Sequence, residues 1–88
     1  MVLNITLSKN LKDILISIWA GAKTRKLHYN DMEEQEQKML DRVMAENFKI
    51  LDENKVPFKV QNLIMWHGQN NIECNFKDTL DALKIELI

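Results

Sequence analysis

Glycine, proline and cysteine are scarce in this 88-residue chain, which contains two, one and one of them respectively. The phosphate-cradling loops of nucleotide-binding proteins need closely spaced glycines, and Gly21 and Gly68 are far apart in the chain. A single cysteine, Cys74, cannot form an internal disulfide, and a lone thiol is typical of a reducing compartment. The sequence therefore excludes a glycine-rich nucleotide loop and predicts a cytoplasmic protein.

Long apolar runs are also missing. The best candidate, residues 14–22, includes Ser17, whereas a membrane-spanning helix needs about 20 predominantly apolar residues. This run ends in a small-residue pattern that resembles a signal-peptidase site, but it is short and Asp13 directly precedes it. We therefore expect neither membrane insertion nor secretion.

Side chains that could carry chemistry are few. The imidazole and thiol groups of the chain belong to His28, His67 and Cys74, without the close-spaced pairs of a zinc site. His67 and Cys74 could meet as a thiol–imidazole pair, but Cys74 alternates with Ile72 and Phe76 in a pattern typical of a buried thiol. We expect no metal, no cofactor and no enzymatic activity.

The remaining composition is that of a small globular domain. Apolar residues make up 45% of the chain and charged residues 28%, which is unlike a disordered chain. Residues 1–88 contain no repeat or linker and are expected to form a single domain, too small for a deep pocket between lobes. Because a deep pocket is not expected, function should be carried by the surface.

Frequent Asn, Ile and Lys suit a low-GC genome or a phage or mobile-element gene.

The N-terminal part predicts a strand followed by a helix. Residues 2–7 alternate between apolar and polar side chains, as a short strand does. Ser8 or Asn10 can cap the helix that follows, because a short side-chain oxygen accepts hydrogen bonds from the first free N–H groups. Apolar residues then recur at helical spacing, and we expect this helix to end near Gly21.

A long second helix is the clearest element. Asn30 with Glu33, or Asp31 with Glu34, has the spacing of a capping box at its start. Its apolar side chains cover about half of the helix circumference, more than the stripe of about 100° of a surface helix. They are Met32, Met39, Leu40, Val43, Met44, Phe48, Ile50 and Leu51.

The C-terminal third has two interpretations. Residues 56–67 and 72–76 are rich in β-branched and aromatic side chains and favour a β-hairpin, although Pro57 and Gly68 would equally suit a helix between them. Asn75 or Asp78 should begin a last helix, with Leu80, Leu83 and Leu87 facing inward. The predicted fold is a small, helix-dominated α+β domain in the order strand, helix, long helix, β-hairpin, helix. The alternative is an all-α four-helix domain.

The wide apolar face of the second helix leads to the functional hypothesis. Either this helix is central to the fold, or part of its face binds a partner, including a second copy of the chain. We expect a non-enzymatic protein-binding regulator or inhibitor that uses the face around Met39, Val43 and Ile50. Trp66 is a further candidate contact, since tryptophan is common among interface hot spots.

The segment GAKTRKLHYNDMEEQE, residues 21–36, joins a basic half to an acidic half. Helix dipoles favour basic side chains such as Lys23 and Lys26 at a helix C-terminus and acids at the next N-terminus, so most of this pattern needs no ligand. Arg25, His28 and Tyr29 are not required by that argument and are candidate partner contacts. The alternative function is nucleic-acid binding by the basic segment 9–29.

Overall fold

The computed structural model describes residues 2–88 and confirms the helix-dominated α+β fold. Within these residues, four helices form most of the domain, and two short strands pair in a parallel sheet. The elements are β1 (Ile5–Leu7), α1 (Lys12–His28), α2 (Glu34–Glu53), α3 (Phe58–Asn70), α4 (Phe76–Leu83) and β2 (Ile85–Leu87), with 3-10 turns at Lys9–Leu11 and Tyr29–Asp31.

The sheet joins the first and last of these elements. Ile5 of β1 lies opposite Ile85 of β2, and the strands run in the same direction. Hydrogen bonds from Leu3 N–H to the Leu83 carbonyl (2.8 Å) and from Ile88 N–H to the Leu7 carbonyl (3.0 Å) extend the pairing. Parallel strands cannot be connected by a tight turn, so the whole helical part of the chain serves as their crossover connection.

Helix α1 occupies the centre of the domain. It packs against both α2 and α3, and α3 packs against α4. The largest fully buried apolar side chains come from three helices, and they are Leu15, Ile18, Met44, Leu51 and Ile64. The interpretation of α2 as the central helix is therefore wrong, because α1 takes that position and covers one side of α2 only.

Both glycines lie inside helices where another side chain packs closely. Gly21 is buried in α1, and a methyl group on it would overlap Met44 Sδ. Gly68 is buried in α3, where a methyl group would lie 2.8 Å from Trp19 Cδ1. The prediction that the first helix ends near Gly21 is wrong: α1 continues to His28, and the glycine serves close helix packing instead of chain reversal.

The predicted β-hairpin is also wrong. Residues 58–70 form α3, and residues 72–76 form a loop and the start of α4. Pro57 directly precedes the helix, a position where its missing N–H costs nothing. The β-rich composition was overridden by tertiary packing, because the buried positions recur at helical spacing, at Val60, Gln61, Ile64 and Gly68.

Of the three predicted helix starts, one is confirmed, one is capped differently and one is displaced. The Ser8 side chain accepts a hydrogen bond from Asn10 N–H (3.2 Å) and caps the 3-10 turn Lys9–Leu11, whereas α1 itself begins after Leu11 without a side-chain cap. Asn75 caps α4 by accepting from Asp78 N–H (2.9 Å), while Asp78 accepts from Asn75 N–H (3.1 Å). Leu80 and Leu83 lie on α4 as expected, but Leu87 belongs to β2.

The displaced start is that of α2. The helix follows Glu33, whose N–H donates to Glu36 Oε1 at 3.4 Å, so the capping contact lies a few residues later than either predicted pair. The reason is that Tyr29–Asp31 forms a separate 3-10 turn, closed by a hydrogen bond from Met32 N–H to the Tyr29 carbonyl (3.2 Å).

Helix α2 ends in a Schellman motif with an unusual residue in it. Lys55 N–H donates to the Asp52 carbonyl and Val56 N–H to the Leu51 carbonyl, each at 3.0 Å. Val56 and Leu51 are both buried, which supplies the apolar contact of this motif. Lys55 has a φ of 60°, the left-handed region that glycine normally occupies.

Candidate protein-binding surfaces

A row of exposed apolar side chains runs along α2. Met39 is 68% exposed, Val43 41% and Ile50 36%. Their spacing of four and seven residues places them on one face of the helix, while Met44 and Leu51 point into the core. The wide apolar face of α2 is thus divided between the core and solvent. We refer to Met39, Val43 and Ile50 as the α2 stripe.

Charged side chains border the α2 stripe along one edge. Arg42 and Glu46 are both exposed and stand one turn apart on that edge. Within residues 2–88, salt bridges join Arg25 to Asp41 and Lys38 to Glu34, and neither bridge involves Arg42 or Glu46. These two charges are therefore available to a partner that covers the stripe.

A second apolar surface is a groove between α2 and α3, with a volume of about 680 Å³. Its lining comprises Arg25, Phe48, Asn62, Leu63, Met65, Trp66 and Gln69. Trp66 is 56% exposed on α3. Phe48 lies about 140° around α2 from Val43, so the groove and the α2 stripe face different directions. Trp66 and the stripe residues, predicted as parts of one binding site, are not brought together.

Arg25 and Tyr29 hold α1 to α2 through one carboxylate. Arg25 Nη2 donates to Asp41 Oδ1 and Tyr29 Oη donates to Asp41 Oδ2, both at 2.8 Å. The hydrogen bond from Arg25, followed by that from Tyr29, holds the pKa of Asp41 below its ordinary value. The hydrogen bond to Asp41 in turn raises the pKa of Tyr29. Both predicted contact residues thus have a structural role.

Lys23 connects α1 to the loop between α3 and α4. Its ammonium group donates to the carbonyl oxygens of Ile72 (3.1 Å) and Cys74 (2.7 Å). The same nitrogen lies 3.8 Å from the centre of the Trp19 ring, a cation–π contact. Phe76 meets that ring edge to face, with centroids 5.8 Å apart. Lys23 is therefore committed to the fold and has little freedom to contact phosphates.

The other basic side chains of residues 9–29 do not form one patch. Lys26 and His28 are exposed near the C-terminal end of α1, whereas Lys9 and Lys12 lie at its beginning. At 1.5 Å per residue, Lys12 and Lys26 are about 21 Å apart along the helix. A single nucleic-acid contact would have to bridge that distance.

His67 belongs to a buried polar network. Thr79 is fully buried, and its Oγ1 accepts from Trp19 Nε1–H at 2.9 Å. The threonine hydroxyl lies 2.8 Å from His67 Nδ1, and it donates to this nitrogen in the tautomer that carries the ring proton on Nε2. A hydrogen bond between His67 and Cys74 is not among those of residues 2–88, so the thiol–imidazole pair does not form there.

Sequence reasoning missed two charged candidates beside the α2 stripe and one exposed aromatic side chain. Arg42 and Glu46 could have been found on a helical wheel, because both adjoin the apolar positions of α2. Phe58, which is 71% exposed, was assigned to a strand, and its exposure follows from the helical packing of α3. The structural partner of Arg25 and Tyr29, Asp41, has no signal in the sequence.

The described residues show two further absences. None of the helices within residues 2–88 is both long and apolar enough to span a bilayer. No three acidic, histidine or cysteine side chains converge there as a metal site would require. Comparison with known proteins adds no assignment: no protein-family model matches the chain, and no curated protein or solved structure matches it.

Proposed function

We propose that this domain is a small, non-enzymatic regulator that binds another protein through the α2 stripe. The observation that carries the proposal is the exposure of Met39, Val43 and Ile50 in one row on the longest helix. A partner that offers an apolar helix face would cover this row, while charges complementary to Arg42 and Glu46 would set its orientation.

The size of the stripe limits its affinity. Complete burial of a Met, Val or Ile side chain contributes about 1.5–3 kcal/mol, and these three are already partly buried. Association costs at least about 4 kcal/mol in lost translational and rotational freedom. The stripe therefore provides the centre of an interface, and the surrounding charged edge must add to it.

Such a domain would act by occluding or scaffolding its partner. An inhibitor or regulator of this kind, including one encoded by a phage or mobile element, needs no catalytic group. We place it in the cytoplasm, where the single thiol of Cys74 would stay reduced.

Nucleic-acid binding remains the second candidate, with weaker support. Lys23 and Arg25 already have partners within the domain, and so does Tyr29. An affinity that falls steeply as salt is raised, and that disappears when Lys9, Lys12 and Lys26 are changed to Ala, would favour this alternative.

The test is capture of partner proteins by the immobilised domain from a nuclease-treated extract of the cells in which the protein is produced. A double variant, Met39→Lys with Val43→Lys, should lose the proteins that the unchanged domain retains. The control is Phe58→Lys, which alters an apolar side chain on α3 that is about as exposed as Met39, and this variant should retain them. Circular dichroism must show that both variants are folded. Equal retention by the stripe variant and the control would refute the proposal.

A further inference from the structure

We propose that the α2 stripe pairs with the α2 stripe of a second copy, with the two helices antiparallel about a twofold axis. This inference rests on the proposed function, because it names the partner of the same surface. The helix α1 lies on the other side of α2, at Met44 and Leu51, and leaves the stripe open.

The spacing of the stripe is compatible with this symmetry. The twofold axis runs between the two helices, perpendicular to them and level with the midpoint of the stripe between residues 44 and 45. It places Met39 opposite Ile50 of the second copy and Ile50 opposite its Met39. The two Val43 side chains then lie close to the axis on either side of it. The exposed apolar groups of one copy are thereby covered by those of the other.

Charge complementarity selects the antiparallel arrangement. The perpendicular twofold axis puts the edge that carries Arg42 and Glu46 against the same edge of the second copy. Arg42 then lies within about 1.5 Å, along the helix axis, of the level of the second copy's Glu46, and the reverse pair forms by symmetry. In a parallel pair, Arg42 would face the opposite edge, where the nearest acid, Glu36, lies about 9 Å away along the axis.

The expected dimer is weak. Two single helices in contact bury less than the interfaces of about 1,200–2,000 Å² that are typical of stable complexes. Self-association should therefore depend on protein concentration in the micromolar range or above, and it should weaken as salt screens the two ion pairs.

The decisive experiment is sedimentation equilibrium on the purified chain and on two charge reversals, Arg42→Glu and Glu46→Arg. Each reversal alone places like charges opposite each other at both pairs and should weaken self-association about tenfold or more. When the two variants are mixed, both pairs are again of opposite sign, and a 1:1 heterodimer should form. After mixing, each chain still carries two like charges at positions 42 and 46 of its own helix. Recovery of the dimer therefore shows that these positions meet between copies.

Three outcomes would overturn the inference. A chain that stays monomeric at every concentration excludes a second copy as the partner, while the capture experiment still decides the proposed function. A dimer that neither reversal weakens uses another surface. Two variants that do not combine when mixed exclude the antiparallel register.

Lys59→Glu, an exposed charge reversal on α3, is the control that should leave association unchanged. If a reversal fails to fold, Arg42→Gln and Glu46→Gln provide a weaker comparison: each alone removes both ion pairs, and mixing the two variants restores one of them.

Discussion

Replacement of Lys23 by methionine tests whether this side chain supports the fold or serves as a surface charge. Methionine keeps most of the aliphatic stem and has a similar helix propensity, so the change removes mainly the ammonium group. The structure gives that group three contacts: the carbonyls of Ile72 and Cys74 and the ring of Trp19.

The expected loss can be estimated from these contacts. A hydrogen bond with a charged donor is worth about 1.5–3 kcal/mol, and we take about 1.5 kcal/mol for the half-buried bond to Cys74. The exposed bond to Ile72 adds about 0.5 kcal/mol. The cation–π contact adds about 0.5–1 kcal/mol. Lys23→Met should therefore lower the free energy of unfolding by about 2.5–3 kcal/mol, or the Tm by about 10–20 °C.

The assay is urea unfolding followed by circular dichroism, with thermal unfolding as a second measure. Lys26→Met is the matched control, because Lys26 is exposed and lies on the same helix; its effect should stay within about 0.5 kcal/mol. If the two variants unfold at the same urea concentration, the contacts of Lys23 contribute nothing and the reasoning is refuted. A nucleic-acid surface would instead lose affinity equally in both variants.

Three other predictions concern packing, backbone strain and pH. Gly68→Ala should lower stability by about 1–2 kcal/mol in urea unfolding, because overpacking against Trp19 exceeds the helix preference for alanine, and the effect should vanish in a Trp19→Leu background. Lys55→Gly should raise stability by about 0.5–1 kcal/mol by relieving the positive φ, and a loss would contradict the Schellman assignment. Because its contact with Arg25 lowers the pKa of Asp41, that contact stabilises the fold above the unfolded pKa of about 4 and is lost as pH falls through the folded pKa. Asp41→Asn should therefore show a smaller loss of stability on acidification from about pH 5 to about pH 3, measured by thermal unfolding, and an unchanged acid loss would exclude this contribution.

The parts of the fold that follow local rules were predictable from the sequence. Asn75 and Asp78 form a capping box because their spacing satisfies two N–H groups at once, and this requires nothing from the rest of the molecule. The width of the apolar face of α2 was also predictable, but the helical spacing left open whether the core or a partner covers it.

The parts that depend on distant contacts were not predictable. Gly21 and Gly68 were interpreted as helix ends, because the sequence does not show that Met44 packs against Gly21 and Trp19 against Gly68. Residues 58–70 have a strand-like composition beside a proline that suits a helix start, and their burial against α1 favours the helix. Lys23 read as a surface charge because its carbonyl partners lie about 50 residues further along the chain.

The pairing of β1 with β2 has a consequence for synthesis of the chain. Strand β1 has no partner until Ile85, 80 residues after Ile5, has been synthesised. At about 5–20 residues per second, β1 is an open edge for about 4–16 seconds while the helices can already collapse locally. During that interval Ile5 and Leu7 of β1, together with Leu3 just before it, lack the core packing that they have in the folded domain, which leaves this segment open to misassociation with other chains.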